Sequence, residues 1–156
     1  MTVPLTRLRF ELAGEVHYSR GLLLAAEEAR DLSEPLEQAG HLILGAVAQQ
    51  FATEGRRAGG WPPLSPRYAA WKAAHYPGRP ILVLTGRMKR AALDTRALQV
   101  TPRRLTYEVD DPKALYHQVG AGRLPVRRVV DLTGHDRRMI DRAFARWLAK
   151  IRARAG

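Results

Sequence analysis

Hydrophobic and polar residues alternate in three short parts of the chain, and a period of two is typical of a half-buried β-strand. Residues 6–12 alternate in this way, as do residues 97–101 and residues 104–110. Pro102 and Arg103 separate the last two segments and favour a tight turn. The pattern therefore predicts one strand near the start of the chain and an antiparallel hairpin in its second half.

Two longer segments carry apolar residues at the spacing of an amphipathic α-helix. The first runs from about Pro35 to Thr53, and Gly55 follows it as a residue that can close the last helical turn. The second follows Thr133 and Asp136, which have the spacing of a helical capping box. Its apolar residues are Met139, Ile140, Ala143, Phe144, Trp147, Leu148 and Ile151.

Local start and stop signals indicate shorter elements. We expect helices over about residues 22–30, over residues 66–75 after Ser65, over residues 88–93 with Thr85 as N-cap, and over residues 113–119 before Gly120. Residues 125–130 form a further candidate strand. The elements together predict one α+β domain over residues 1–156. It should combine a small antiparallel β-sheet with a central helix and a long amphipathic C-terminal helix.

The segment from Gly55 to Pro80 has an unusual composition. Glycine and proline interrupt it repeatedly, yet it also carries Trp61, Leu64, Tyr68 and Trp71. A flexible linker is small and polar, whereas large apolar side chains need a surface to bury against. We therefore predict an extended interaction loop. Those four residues are the candidates for contact with a neighbouring subunit, or for anchoring the loop itself.

The chain is strongly basic, with a formal net charge of +11 over 156 residues. Residues 120–156 hold ten Lys and Arg residues against three Asp residues. The candidates for phosphate contact are Arg127, Arg128, Arg137 and Arg138. This charge favours a nucleic-acid-binding protein as one function class. The arginine bias of a GC-rich genome, or ordinary solvated helix faces, would explain the same residues.

Candidate catalytic chemistry is sparse. The chain has no cysteine, no glycine-rich phosphate loop and no HExxH or GxSxG motif. His135 and Asp136 form a suggestive pair, but Asp136 is better explained as the capping partner of Thr133. We expect no catalysis, metal or cofactor. Neither a membrane-spanning segment nor a signal peptide is indicated, so we expect no membrane association and synthesis in the cytoplasm.

Four segments of the chain carry a set of motifs in a fixed order. They are residues 51–55 with 60–68 and Lys72, then 81–88, then Ala114, His117, Gln118 and Gly120, and finally 125–127 with Leu132, Thr133 and Asp136. In this order and with these gaps, the segments resemble the phage virion morphogenesis family, the Mu-like tail-completion or head–tail joining proteins of tailed bacteriophages. The resemblance covers about residues 36–151, and Lys113 stands where that family usually has tyrosine.

The resemblance implies a structural virion protein without catalysis, made in the host cytoplasm and placed in the tail or neck region. It implies a homo-oligomeric ring, a hexamer that matches the sixfold symmetry of the tail. It further implies contacts with the tail tube or tail terminator and with neck or connector proteins. On this interpretation Arg127, Arg128, Arg137 and Arg138 would face the ring lumen and passing phage DNA. The alternative is a basic nucleic-acid-binding protein that acts independently of a virion.

Overall fold

Three strands form an antiparallel sheet in which β3 lies between β1 and β2. The strands are β1 (Leu8–Ala13), β2 (Leu98–Thr101) and β3 (Arg104–Val109). Leu8 pairs with Val109 and Leu98 pairs with Tyr107, which sets the register on both sides of β3. The strand and the hairpin expected from alternation are therefore confirmed. The computed structural model describes the backbone of residues 8–13 and 31–155 and the side chains of residues 31–153.

Five α-helices surround this sheet in the described part of the chain. Two 3₁₀ turns, Arg56–Ala58 and Thr95–Ala97, connect them to the loops and strands. The helix expected over residues 22–30 lies outside the described residues. The helices are α1 (Ser33–Ala52), α2 (Pro66–His75), α3 (Arg87–Leu93), α4 (Pro112–Val119) and α5 (Gly134–Ala155).

The core lies where α1 meets the sheet and α5. Leu105, Tyr107 and Val109 of β3 are completely buried, because alternate residues of a strand face the same side. Gly40 lets α1 approach the sheet closely, since a Cβ there would lie 3.1 Å from a methyl carbon of Leu98. Helix α5 packs against α1 through the apolar face expected from its sequence. The predicted α+β fold class is confirmed.

Side-chain caps fix three of the helix starts, two of which, at Ser65 and at Thr133 with Asp136, were expected from the sequence. The Asp136 carboxylate accepts hydrogen bonds from the backbone N–H and hydroxyl of Thr133, whose hydroxyl accepts from the Asp136 backbone at 3.3 Å. Asp111 accepts from the backbone N–H of Lys113 at 3.0 Å before α4. Ser65 accepts from the backbone N–H of Tyr68 before α2. Each polar side chain replaces a bond that the first turn cannot make for itself.

Two local predictions are wrong. Thr85 is not the N-cap of α3, because Gly86 occupies that position with φ of +82°, and the Thr85 hydroxyl accepts a long bond from the Arg87 N–H, at 3.4 Å. Residues 125–130 are not a strand. Their backbone groups bond to side chains and to α4 instead of to a neighbouring strand, as described below.

Candidate functional site

Helix α2 lies on the surface, and among its ten residues only Lys72 is buried. Tyr68 and Trp71 are 40% and 42% exposed. Their rings stack at a centroid distance of 5.6 Å, and Trp71 stacks on His75 at 5.0 Å. We call these three residues the aromatic ladder. A row of large exposed rings on a short helix is an apolar surface of the kind that marks interaction sites.

Lys72 fixes α2 to the loop that follows it. Its ammonium group is buried and donates a hydrogen bond to the backbone carbonyl of Pro80. Burial lowers the pKa of Lys72, while the nearby Glu54 carboxylate raises it. The Glu54 carboxylate also accepts a bond from the backbone N–H of Ile81 at 2.9 Å. The ladder is thereby presented on a helix whose position is set by polar contacts.

Trp61 belongs to the core, unlike the other aromatic residues of the 55–80 segment. It is 8% exposed, packs edge-on against Phe51 at 5.6 Å and donates from Nε1 to the backbone carbonyl of Arg128 at 2.9 Å. Gly55, with φ of +77°, makes room for it, because a Cβ there would lie 2.6 Å from Cδ1 of Trp61. Trp61 therefore anchors the loop, which was one of the two roles considered for it.

A groove of about 590 Å³ opens beside α2. We call it the α2–α4 groove; its walls are α2, residues 82–88, the start of α4 and residues 123–127. Leu82 in its wall has φ of +61°, a strained value for a residue other than glycine, and such strain concentrates at functional positions. Large apolar residues that line the groove include Leu64, Tyr68, Leu82, Leu84, Tyr116 and Leu124.

Positive charge surrounds this groove. Its five cationic residues are Lys72, Arg87, Lys113, Arg123 and Arg127. Asp111 is the one acidic residue among those that line it, and its carboxylate caps α4 and lies 3.9 Å from Nε of Arg87. His117 also lines the groove; burial and then the charges of Arg127 and Lys113 lower its pKa. The groove therefore combines apolar wall residues with a net positive charge.

Arg127 is placed differently from what its sequence context suggested. It is 4% exposed, and its guanidinium group donates to the backbone carbonyls of Pro62 and Pro63, both at 2.8 Å. Burial lowers its pKa. The prediction that Arg127 faces DNA or a lumen is therefore wrong, because its donors hold two loops together.

The other three candidate arginines lie elsewhere. Arg128 is exposed, with Nη1 at 3.7 Å from the Asp131 carboxylate. Arg137 and Arg138 are exposed in the first turns of α5. The groove thus brings together Leu64, Tyr68 and Arg127, and none of the remaining sequence candidates lines it.

Two glutamines that the sequence did not single out for a role hold residues 128–130 in place. Gln118 accepts from the backbone N–H groups of Val129 and Val130 at 2.8 and 3.0 Å, and donates to the carbonyl of Val130 at 2.8 Å. Gln50 donates to the carbonyl of Arg128 at 3.0 Å. The sequence could have indicated a role for Gln50, because it is a polar residue on the apolar face of α1. Gln118 is one of the residues that carry the family resemblance, but that resemblance did not predict its bonds to Val129 and Val130.

A nearly buried ion pair was also missed. Arg57 donates to both carboxylate oxygens of Asp136 and, at 3.0 Å, to the backbone carbonyl of Asp131. The two residues are 79 positions apart. Hydrogen bonds from Arg57 and Thr133 lower the pKa of Asp136 in spite of the opposing effect of burial. Asp136 is thus committed to the cap and to this ion pair.

Within the described residues, no group of three or more His, Cys, Asp or Glu residues is placed to hold a metal ion. None of the described helices is long and apolar enough to span a membrane. Comparisons of the chain with models of protein families, with curated proteins and with solved structures found no match. The resemblance to phage virion morphogenesis proteins therefore depends on the motif residues themselves.

Proposed function

We propose that this protein is a non-catalytic structural subunit of a tailed-bacteriophage virion, acting in tail completion or head–tail joining. The observation that carries the proposal is the aromatic ladder, which α2 exposes although the rest of the molecule has a well-packed core. The motif segments that resemble the phage family contribute the first turn of α2 with Tyr68, as well as Lys72 and part of the walls of the neighbouring groove. An exposed apolar surface that includes the motif residue Tyr68 suits a protein that assembles with others.

The proposed assembly is a homo-oligomeric ring, with six subunits to match the tail. In such a ring each subunit presents two different surfaces, and the ladder of one subunit would bind a second surface on its neighbour. Its other partners would be the tail tube or terminator and the neck or connector proteins. Arg128, Arg137 and Arg138 are exposed and would be available to passing phage DNA.

The test is electron microscopy of lysates from a phage or prophage that lacks this gene. Filled heads and full-length tails should accumulate separately, or tails should be malformed at the head-proximal end. Complementation with Trp71→Ala should fail, because it shortens the ladder at an exposed position. Complementation with Glu37→Ala, an exposed change on α1, should succeed. Normal numbers of joined particles in the deletion lysate would refute the proposal.

A second candidate is a nucleic-acid-binding protein that acts independently of a virion. The observation in its favour is an exposed row of Arg138, Arg142 and Arg146 along α5. Residues four apart lie on one face of a helix and rise about 6 Å, so the three guanidinium groups face the same side and can contact phosphates together. Three such contacts predict a slope of about −3 for the logarithm of duplex affinity against the logarithm of salt concentration. A flat salt response would exclude this candidate.

A further inference from the structure

The α2–α4 groove combines apolar walls with an uncompensated positive charge. Arg127 lies in the wall, almost completely buried, and its contacts are backbone carbonyls that carry no full negative charge. Among the described residues, no carboxylate forms an ion pair with Arg127, Lys113 or Arg123. A buried cation without a charged partner is unfavourable in a low-dielectric site. An anion bound in the groove would relieve that cost.

The apolar walls restrict what kind of anion fits. Leu64, Leu82 and Leu124 offer apolar surface directly beside the cationic residues, and Leu124 is 42% exposed. A nucleic-acid backbone would place phosphates in this space but no aliphatic side chains. A protein segment can place a carboxylate and a large apolar side chain side by side. The groove volume of about 590 Å³ lies within the range of small-ligand sites, so it suits a short segment.

We propose that the α2–α4 groove binds an extended segment of a different protein, in which Asp or Glu residues alternate with large apolar residues. A different protein is favoured over a second copy because a cationic groove selects an acidic segment, and this chain carries 26 Lys and Arg residues against only 15 Asp and Glu residues. This inference rests on the proposed function. It names the chemistry of the segment that the neck or tail partner would place in the groove. Trp71 and His75 of the ladder would then serve contacts between subunits, while the groove, which Tyr68 lines, takes the neck or tail partner.

The experiment is a selection of peptides from a random display library on the purified protein. Enriched peptides should carry net negative charge and at least one large apolar residue. A synthetic copy of an enriched peptide, labelled with fluorescein, is then titrated by fluorescence anisotropy. The test variant reverses two exposed cations at the groove, Lys113→Glu with Arg123→Glu. The matched control, Arg138→Glu with Arg142→Glu, makes the same change of net charge on the exposed face of α5.

We expect the groove variant to weaken peptide binding by about tenfold or more, and the control to weaken it by less than about twofold, because short-range charge pairs outweigh the screened field of the whole molecule. Circular dichroism melts should show that both variants fold. Leu124→Ser should also weaken binding, since it removes apolar surface from the wall.

Several results would overturn this inference. They are the absence of enriched peptides, enrichment of basic peptides, and equal losses in the groove variant and the control. A single-stranded oligonucleotide that binds the groove and displaces the peptide would make the groove a nucleic-acid site. Self-association abolished by the groove variant, together with an unproductive selection, would assign it to a second copy. Because the selection uses purified protein alone, its failure is distinguishable from a normal deletion lysate, which would refute the virion role itself.

Discussion

Trp61 and Trp71 come from the same glycine- and proline-rich segment, yet the structure predicts opposite consequences for replacing them with alanine. Trp61→Ala removes a side chain that is 92% buried, together with its edge-on contact with Phe51 and its bond to the Arg128 carbonyl. Buried tryptophan truncations cost about 3–5 kcal/mol. A typical domain has only about 5–15 kcal/mol of stability, so this variant should be severely destabilised.

Trp71→Ala should leave the fold almost unchanged. Its ring is 42% exposed and touches Tyr68 and His75 of the same helix. Exposed ring contacts of this kind contribute about 1 kcal/mol or less. The variant should instead fail to assemble, because it removes the central ring of the ladder between Tyr68 and His75.

The assay is urea unfolding followed by circular dichroism at the helical band, which does not depend on the tryptophan signal. We expect a midpoint for Trp61→Ala far below that of the wild type, and a melting temperature lower by roughly 10 °C. Trp71→Ala should unfold with the wild type but fail to complement the deletion. A fully stable Trp61→Ala protein, or equal destabilisation by both changes, would refute the assignment of one residue to the core and the other to the surface.

Three further variants test the contacts that support the site. Gly55→Ala should destabilise the fold by at least about 2 kcal/mol in urea unfolding, because the φ of Gly55 is positive and Trp61 occupies the space that a Cβ would need. The control Gly45→Ala lies in open space on α1 and should stabilise the fold by about 0.5–1 kcal/mol. Stability changes of the same sign in the two variants would contradict this reasoning. Gln118→Leu leaves three backbone groups unpaired and should cost about 3 kcal/mol, and a loss below about 1 kcal/mol would show that these bonds contribute little. Burial lowers the pKa of His117, so His117 binds a proton less readily in the folded protein than in the unfolded chain. Acid therefore favours the unfolded chain, and the stability that neutral His117 contributes is lost as the pH falls below about 6.5. His117→Asn should therefore lose less stability than the wild type between about pH 8 and pH 5, and identical pH profiles would exclude this effect.

Local patterns predicted the regular elements well because neighbouring residues determine them. The apolar face of α1, the hairpin of β2 and β3, and the Thr133–Asp136 cap all depend on spacings of a few residues. Thr85 was misassigned because Thr and Gly are both accepted N-cap residues, and only the backbone conformation decides between them.

Contacts between distant residues were not predictable in the same way. Residues 125–130 contain three valines, which favour a strand, but their backbone N–H groups bond to the side chain of Gln118 and to the carbonyl of His117. The sequence marked Arg127 as a surface cation because arginine is rarely buried. Its burial depends on two proline carbonyls more than 60 positions away, and no local pattern reports that distance.

The residues that carry the phage resemblance divide into two groups with different physical roles. Trp61, Gln118 and Arg127 direct their polar atoms to backbone carbonyl or N–H groups, and each of them joins residues 127–130 to another part of the chain. These hydrogen bonds hold the motif segments together, and they engage polar atoms of all three side chains. Tyr68 and Leu64 instead project into the α2–α4 groove, where the fold does not need them. Their apolar surface lies beside the cationic residues of the groove, and we propose that this combination serves the binding of another protein.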